Sequence, residues 1–145
     1  DIKPSNILIT ADYRALLTDF GVARFMDVSS SVTIPGSVVG SPAFMAPENF
    51  LAEELTCASD VFSLGIMLYE LVTGHMPFEG GTLEDLVASL NSSRPKEPRV
   101  WVPNLPAVLC TLMMHMLERS REDRCQSAAH VAAVLNVVMA GMTTA

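Results

Sequence analysis

The sequence predicts a mainly α fold, on two grounds. Residues 59–74, 107–118 and about 127–139 carry apolar side chains at helical spacing, bounded by residues that start or stop helices. A chain of 145 residues with 50% hydrophobic and 17% charged residues is one domain in size and long enough to bury a core.

Between Gly21 and Ala46 the chain is rich in Ser, Thr, Val and Gly and shows no sustained helical or alternating pattern. The strongest helix follows. Apolar residues fall at 61, 64, 68, 71 and 72, with Ser59 or Asp60 as the cap and Gly74 as the stop. A shorter helix is expected from Thr82 to Leu90, opened by Thr82 with Glu84 and Asp85 in its first turn. Its exposed face is a candidate docking surface for substrates or regulators. From Asn91 to Pro106 four prolines, three of the nine cationic residues and the single tryptophan mark a loop, with Trp101 as a packing anchor. Ala107 to Glu118 is helical, with Val108, Leu109, Leu112, Met113, Met116 and Leu117 apolar. A last helix runs from about Ser127 to Met139. Core packing accounts for Met113, Met114 and Met116, because methionine fills irregular gaps.

Three short motifs stand in one order near the start: Asp1-Ile-Lys-Pro-Ser-Asn6, Asp19-Phe20-Gly21 and Ala46-Pro47-Glu48. Their order and spacing resemble the eukaryotic-type protein kinases, on the serine/threonine side. The resemblance covers Asp1 to about Met139 and implies the C-terminal, mainly helical lobe of the kinase fold, with a short β-hairpin near the N-terminus. Phosphoryl transfer needs a carboxylate for the attacking hydroxyl, oxygen ligands for magnesium and cationic charge on the phosphate. By resemblance Asp1 is the catalytic-loop aspartate and Lys3 the lysine that contacts the transferring phosphate. Asn6 and Asp19 are the Mg2+ ligands that serve ATP. Lys3 also points to serine/threonine acceptors, since tyrosine kinases commonly carry other residues there.

The same resemblance makes the stretch after Asp19 the activation segment. Phe20 packs inward and Gly21 allows the backbone to swing. Ser29, Ser30, Ser31, Thr33 and Ser37 are candidate phosphorylation sites, with Arg24 as a cationic partner and an upstream kinase as the implied activator. Read without the resemblance they are loop hydroxyls. Ser41 stands where the family usually carries threonine and keeps the hydroxyl that reaches the catalytic aspartate and lysine. Phe44 replaces a tyrosine.

Downstream, Asp60 matches an aspartate that binds backbone amides of the catalytic loop, Phe62 stands where tryptophan is usual, and His75-Met-Pro-Phe78 is similar to the family's Pro-Phe turn. Arg124, in Leu117-Glu-Arg-Ser-Arg-Glu-Asp-Arg124, matches the arginine that pairs with the Ala-Pro-Glu glutamate, here Glu48. Ser120-Arg121 replaces the usual Asp-Pro and Cys125 the usual proline, which should loosen the turn.

Other classes find little support. Net charge is −7 with scattered basic residues, so no nucleic-acid or anionic-membrane partner is indicated. No apolar run reaches the length of a membrane span. Cys57, Cys110 and Cys125 lack metal spacing and fit reduced, cytoplasmic thiols, and His75, His115 and His130 receive no ligand role. The whole chain reads as one partial kinase domain, from catalytic loop to final helix, without the N-terminal lobe. It contains no Gly-x-Gly-x-x-Gly. A mean hydropathy of +0.35 fits a piece that has lost a covering partner. The parent is expected to phosphorylate Ser or Thr of protein substrates, and the 145 residues alone are expected neither to bind ATP tightly nor to turn over. The competing reading is a pseudokinase-like or truncated interaction module that binds through its helical surface.

Overall fold

The computed structural model describes residues 1–19, 41–51 and 54–143, with side chains omitted at Ser41, Met142 and Thr143. Phe20, Gly21, Arg24, Ser29, Ser30, Ser31, Thr33 and Ser37 therefore lie outside the described residues, as does the Ser41 side chain. The chain is mainly helical with a single two-stranded antiparallel hairpin among the described residues.

The hairpin joins β1 (Ile7–Ile9) to β2 (Ala15–Leu17) in the register Ile7↔Leu17, Leu8↔Leu16 and Ile9↔Ala15. Its turn is closed by Thr10, whose backbone N–H donates to the Arg14 carbonyl and whose hydroxyl accepts from the Arg14 N–H. Tyr13 takes a left-handed φ of 60° there. A one-turn helix α1 (Pro47–Phe50) follows the motif alanine, with Asn49 Oδ1 accepting from the Ala46 N–H at 3.0 Å.

The central helix α2 (Cys57–Thr73) starts earlier than the sequence suggested. Thr56 is the cap. Its hydroxyl accepts from the Ala58 N–H at 3.2 Å while Ser59 Oγ accepts from the Thr56 N–H at 3.2 Å. This reciprocal box satisfies two otherwise orphaned donors, which leaves Ser59 and Asp60 inside the first turn. At the other end Gly74, at φ 72°, donates to the Glu70 carbonyl at 2.8 Å and stops the helix.

The buried face of α2 also differs from the apolar stripe read from the sequence. Of the expected stripe Val61 is buried, Leu64, Leu68 and Val72 pack half-buried against the core and Leu71 is 75% exposed, while the fully buried face also takes Phe62, Ile66, Tyr69 and Thr73. The helix is apolar around most of its circumference, so periodicity alone could not choose the face.

The remaining helices are α3 (Leu83–Ser92), α4 (Ala107–Met116) and α5 (Ala128–Thr143). Thr82 and Asp85 form a capping box at the start of α3. α4 stops two residues short of the expected Glu118, where the Leu117 N–H is shared between the Met113 and Met114 carbonyls. α5 runs past the expected Met139, and Val131 is its buried anchor. α4 crosses α2 closely at Gly65, where a Cβ would lie 2.8 Å from Met116 Cβ. The resulting core gathers Phe62, Ile66, Tyr69, Phe78, Leu86, Leu90, Leu112, Met113, Met116 and Val131.

Trp101 anchors the proline-rich loop, donating from Nε1 to Tyr69 Oη at 3.1 Å while Tyr69 donates to the Lys96 carbonyl at 2.9 Å. Burial, opposed by the Trp101 hydrogen bond, pushes the Tyr69 phenol above its ordinary pKa of 10.0. The His75 ring stacks on the indole at 3.6 Å.

Candidate active site

The first six residues fold into a tight turn because Pro4 opens a 3-10 turn, Pro4–Asn6, and the Asn6 N–H returns to the Lys3 carbonyl at 3.0 Å. Three of the motif side chains meet there. Lys3 Nζ lies 2.7 Å from Asp1 Oδ2, and Asn6 Nδ2 donates to Asp1 Oδ2 at 3.0 Å and to the Asp1 carbonyl at 2.8 Å. The Asp1 carboxylate thus has a fixed orientation and a neighbouring cation.

Asn6 is buried, and its carbonyl accepts both the Thr18 N–H at 2.8 Å and the Thr18 hydroxyl at 3.1 Å. That pair of bonds ties the turn to the residue before Asp19. Asp19 is exposed and holds a left-handed φ of 52°. Aspartate tolerates that region better than most side chains, and such strain clusters at functional sites.

Asp60 Oδ1 stands 3.7 Å from the main-chain nitrogen of Asp1, so the first turn of α2 abuts the same turn. Asn6 and Asp19 offer an amide and a carboxylate oxygen, the hard donors that Mg2+ prefers. Among the described residues no group of three or more His, Cys, Asp or Glu is placed to hold a metal. A sparse protein donor set of this kind fits an ion whose remaining ligands are water and phosphate oxygens.

A second constellation lies deeper. Glu48 and Arg124, 76 residues apart, form a bidentate pair with Nη1–Oε1 at 2.6 Å and Nη2–Oε2 at 2.9 Å. Their side chains are 4% and 0% exposed. Arg124 also donates to the carbonyls of Ala58, Glu118 and Arg119, which accounts for all five of its N–H groups. Its guanidinium lies 4.7 Å over the Phe62 ring.

Burial alone would push the Glu48 carboxyl up. Hydrogen bonds from Arg124, Ser59 and its own main-chain amide, with the charge of Arg124, outweigh that and hold it below its ordinary 4.5. The turn before Arg124 is tied without the Asp-Pro pair: Ser120 Oγ donates to Glu122 at 2.7 Å, Arg121 to the Glu54 carbonyl at 3.0 Å, and Gln126 Nε2 to the Arg121 and Arg124 carbonyls at 2.7 Å each. Ser120, the main-chain amide and Arg121 hold Glu122 down at about 2.

Sequence reasoning missed Ser59 as a ligand of Glu48 and Thr18 as the tie to Asn6. In both cases a hydroxyl beside a motif residue was the available signal.

A family model for the protein kinase domain matches residues 1–135. The chain belongs to the protein kinase domain family. Its relatives include serine/threonine-protein kinase PkaA of Streptomyces coelicolor, 38% identical over 145 residues, with 98% of this chain and 26% of PkaA covered. PknE of Mycobacterium tuberculosis is 32% identical over 140 residues, covering 97% of this chain and 24% of PknE. PknB of Mycobacterium leprae is 33% identical over 141 residues, covering 97% and 23%. The family model and these serine/threonine kinases identify the chain as serine/threonine kinase catalytic-domain sequence. The kinase-domain chain spans about a quarter of the length of these relatives. None of its described helices is long and apolar enough to cross a membrane.

Proposed function

We propose that the protein carrying these residues transfers the γ-phosphoryl group of ATP, with Mg2+, to Ser or Thr hydroxyls of protein substrates in the cytoplasm. The carrying observation is the Asp1 carboxylate held between Lys3 and Asn6. Asp1 orients the acceptor hydroxyl and receives its proton, a role that requires a fixed carboxylate within hydrogen-bond reach. Lys3, at the same carboxylate, supplies positive charge where the transferring phosphate gains negative charge. Mg2+ would be held by Asn6 and Asp19, and when bound it neutralises phosphate charge and aligns the nucleotide. Ser29, Ser30, Ser31, Thr33 and Ser37 are the proposed acceptors for phosphorylation by an upstream kinase, with Arg24 as a partner for the added charge, and Ser41 supplies the hydroxyl that reaches Asp1 and Lys3. Glu48 and Arg124 anchor the end of that segment, and Asp60 braces the catalytic turn.

The test is Asp1→Asn in the full-length protein. The amide keeps the size but cannot take a proton, so kcat for phosphorylation of a Ser/Thr peptide should fall about 100-fold or more while nucleotide binding persists. An Asp1→Asn protein with unchanged kcat would sink the assignment.

A further inference from the structure

Two parts of the molecule are referenced to a single turn of helix. At the start of α2, Asp60 faces the main chain of Asp1 at 3.7 Å, and Ser59, one residue earlier, faces α1. Ser59 is buried, and its hydroxyl donates to Glu48 Oε1 at 2.7 Å while accepting the Thr56 N–H at 3.2 Å. An ionised carboxylate can only accept, so the direction of the hydroxyl proton is fixed. The polar chain then runs one way, from the cap N–H through the hydroxyl to the carboxylate, which Arg124 meets from the other side. Serial hydrogen bonds of this kind reinforce one another in a dry site. The neighbouring Ala58 carbonyl accepts from Arg124 Nη1 at 3.2 Å, so adjacent residues of one turn hold both members of the ion pair.

We propose that Ser59 is a positioning residue, locking Glu48 to the helical turn that lies beside Asp1 so that the segment ending at Ala46-Pro47-Glu48 keeps its place relative to the catalytic turn. The proposal rests on the kinase reading. An apolar residue at position 59 would leave the Thr56 hydroxyl cap and the Glu48–Arg124 pair in place, but would lose both the acceptor of the Thr56 N–H and the link to Glu48.

The experiment compares Ser59→Ala, Ser59→Thr and Thr56→Ala in the full-length protein, measuring peptide phosphorylation and thermal unfolding from about pH 3 to about pH 7. Thr56→Ala weakens the cap without removing a ligand of Glu48, so it should lower the unfolding midpoint at every pH. Ser59→Ala should in addition move the acid-side loss of stability to higher pH, because a carboxylate that has lost a donor protonates more readily. Its kcat should fall about tenfold, the factor carried by one hydrogen bond to a charged group, and Ser59→Thr should restore both readouts. If Ser59→Ala does not fold, Ser59→Cys, a weak donor of similar size, carries the same comparison. An active wild type whose Ser59→Ala variant keeps the wild-type acid limb overturns the proposal alone. A wild type that phosphorylates nothing, with ATP and Mg2+ supplied, overturns the kinase reading and the positioning role with it.

Discussion

Replacing Glu48 by glutamine changes almost nothing in shape and strips a buried cation of its counter-charge. Arg124 keeps three main-chain carbonyls and one amide oxygen. The new NH2 group would point donor-to-donor at Nη2, which now sits 2.9 Å from Oε2. Removing one partner of a buried ion pair costs about 3–5 kcal/mol, most of it the penalty of the stranded charge. The three surviving carbonyl bonds place Glu48→Gln near the lower end, at about 3 kcal/mol. That is a large share of the roughly 5–15 kcal/mol that holds a domain together. Urea unfolding followed by circular dichroism should show a lower midpoint with an unchanged slope. Replacing both partners by apolar residues, Glu48→Leu with Arg124→Met, should recover much of the loss, because no charge is then left unpaired. A Glu48→Gln protein within about 0.5 kcal/mol of wild type would refute the reasoning, since that is the range of an ordinary surface substitution.

Two further outcomes follow from the same geometry. Gly65→Ala should destabilise by about 1–3 kcal/mol in urea unfolding, although alanine favours a helix by about 1 kcal/mol, because its Cβ would press on Met116 Cβ at 2.8 Å and force α4 away from α2. Acid should weaken the fold through Glu48. Its pKa is lowered on folding, so its stabilisation is fully present above 4.5 and is lost as pH falls through the depressed folded value. The acid limb of the unfolding midpoint should therefore be shallower in Glu48→Gln than in wild type, and equal limbs would contradict the assignment.

Much was legible in the chain because it is local. Gly74 as the stop of α2, the Thr82 start of α3 and the proline-rich loop that follows α3 each follow from residues acting on their own backbone, whereas Trp101 reaches Tyr69 from a distant part of the chain. The motif residues Asp1, Lys3 and Asn6 meet because a six-residue turn brings them together. That Glu48 and Arg124 were singled out at all came from resemblance, since no local rule links residues 76 apart.

The sequence by itself determined the four longer helices, the Gly74 stop of α2 and the set of charged groups available for chemistry, because period, caps and residue type act over a few residues. Only the tertiary structure decided which face of the largely apolar α2 is buried, why Gly65 is small, and that Ser59 serves Glu48 as well as the cap of its own helix. Those choices depend on what packs opposite, and each partner comes from a distant part of the chain.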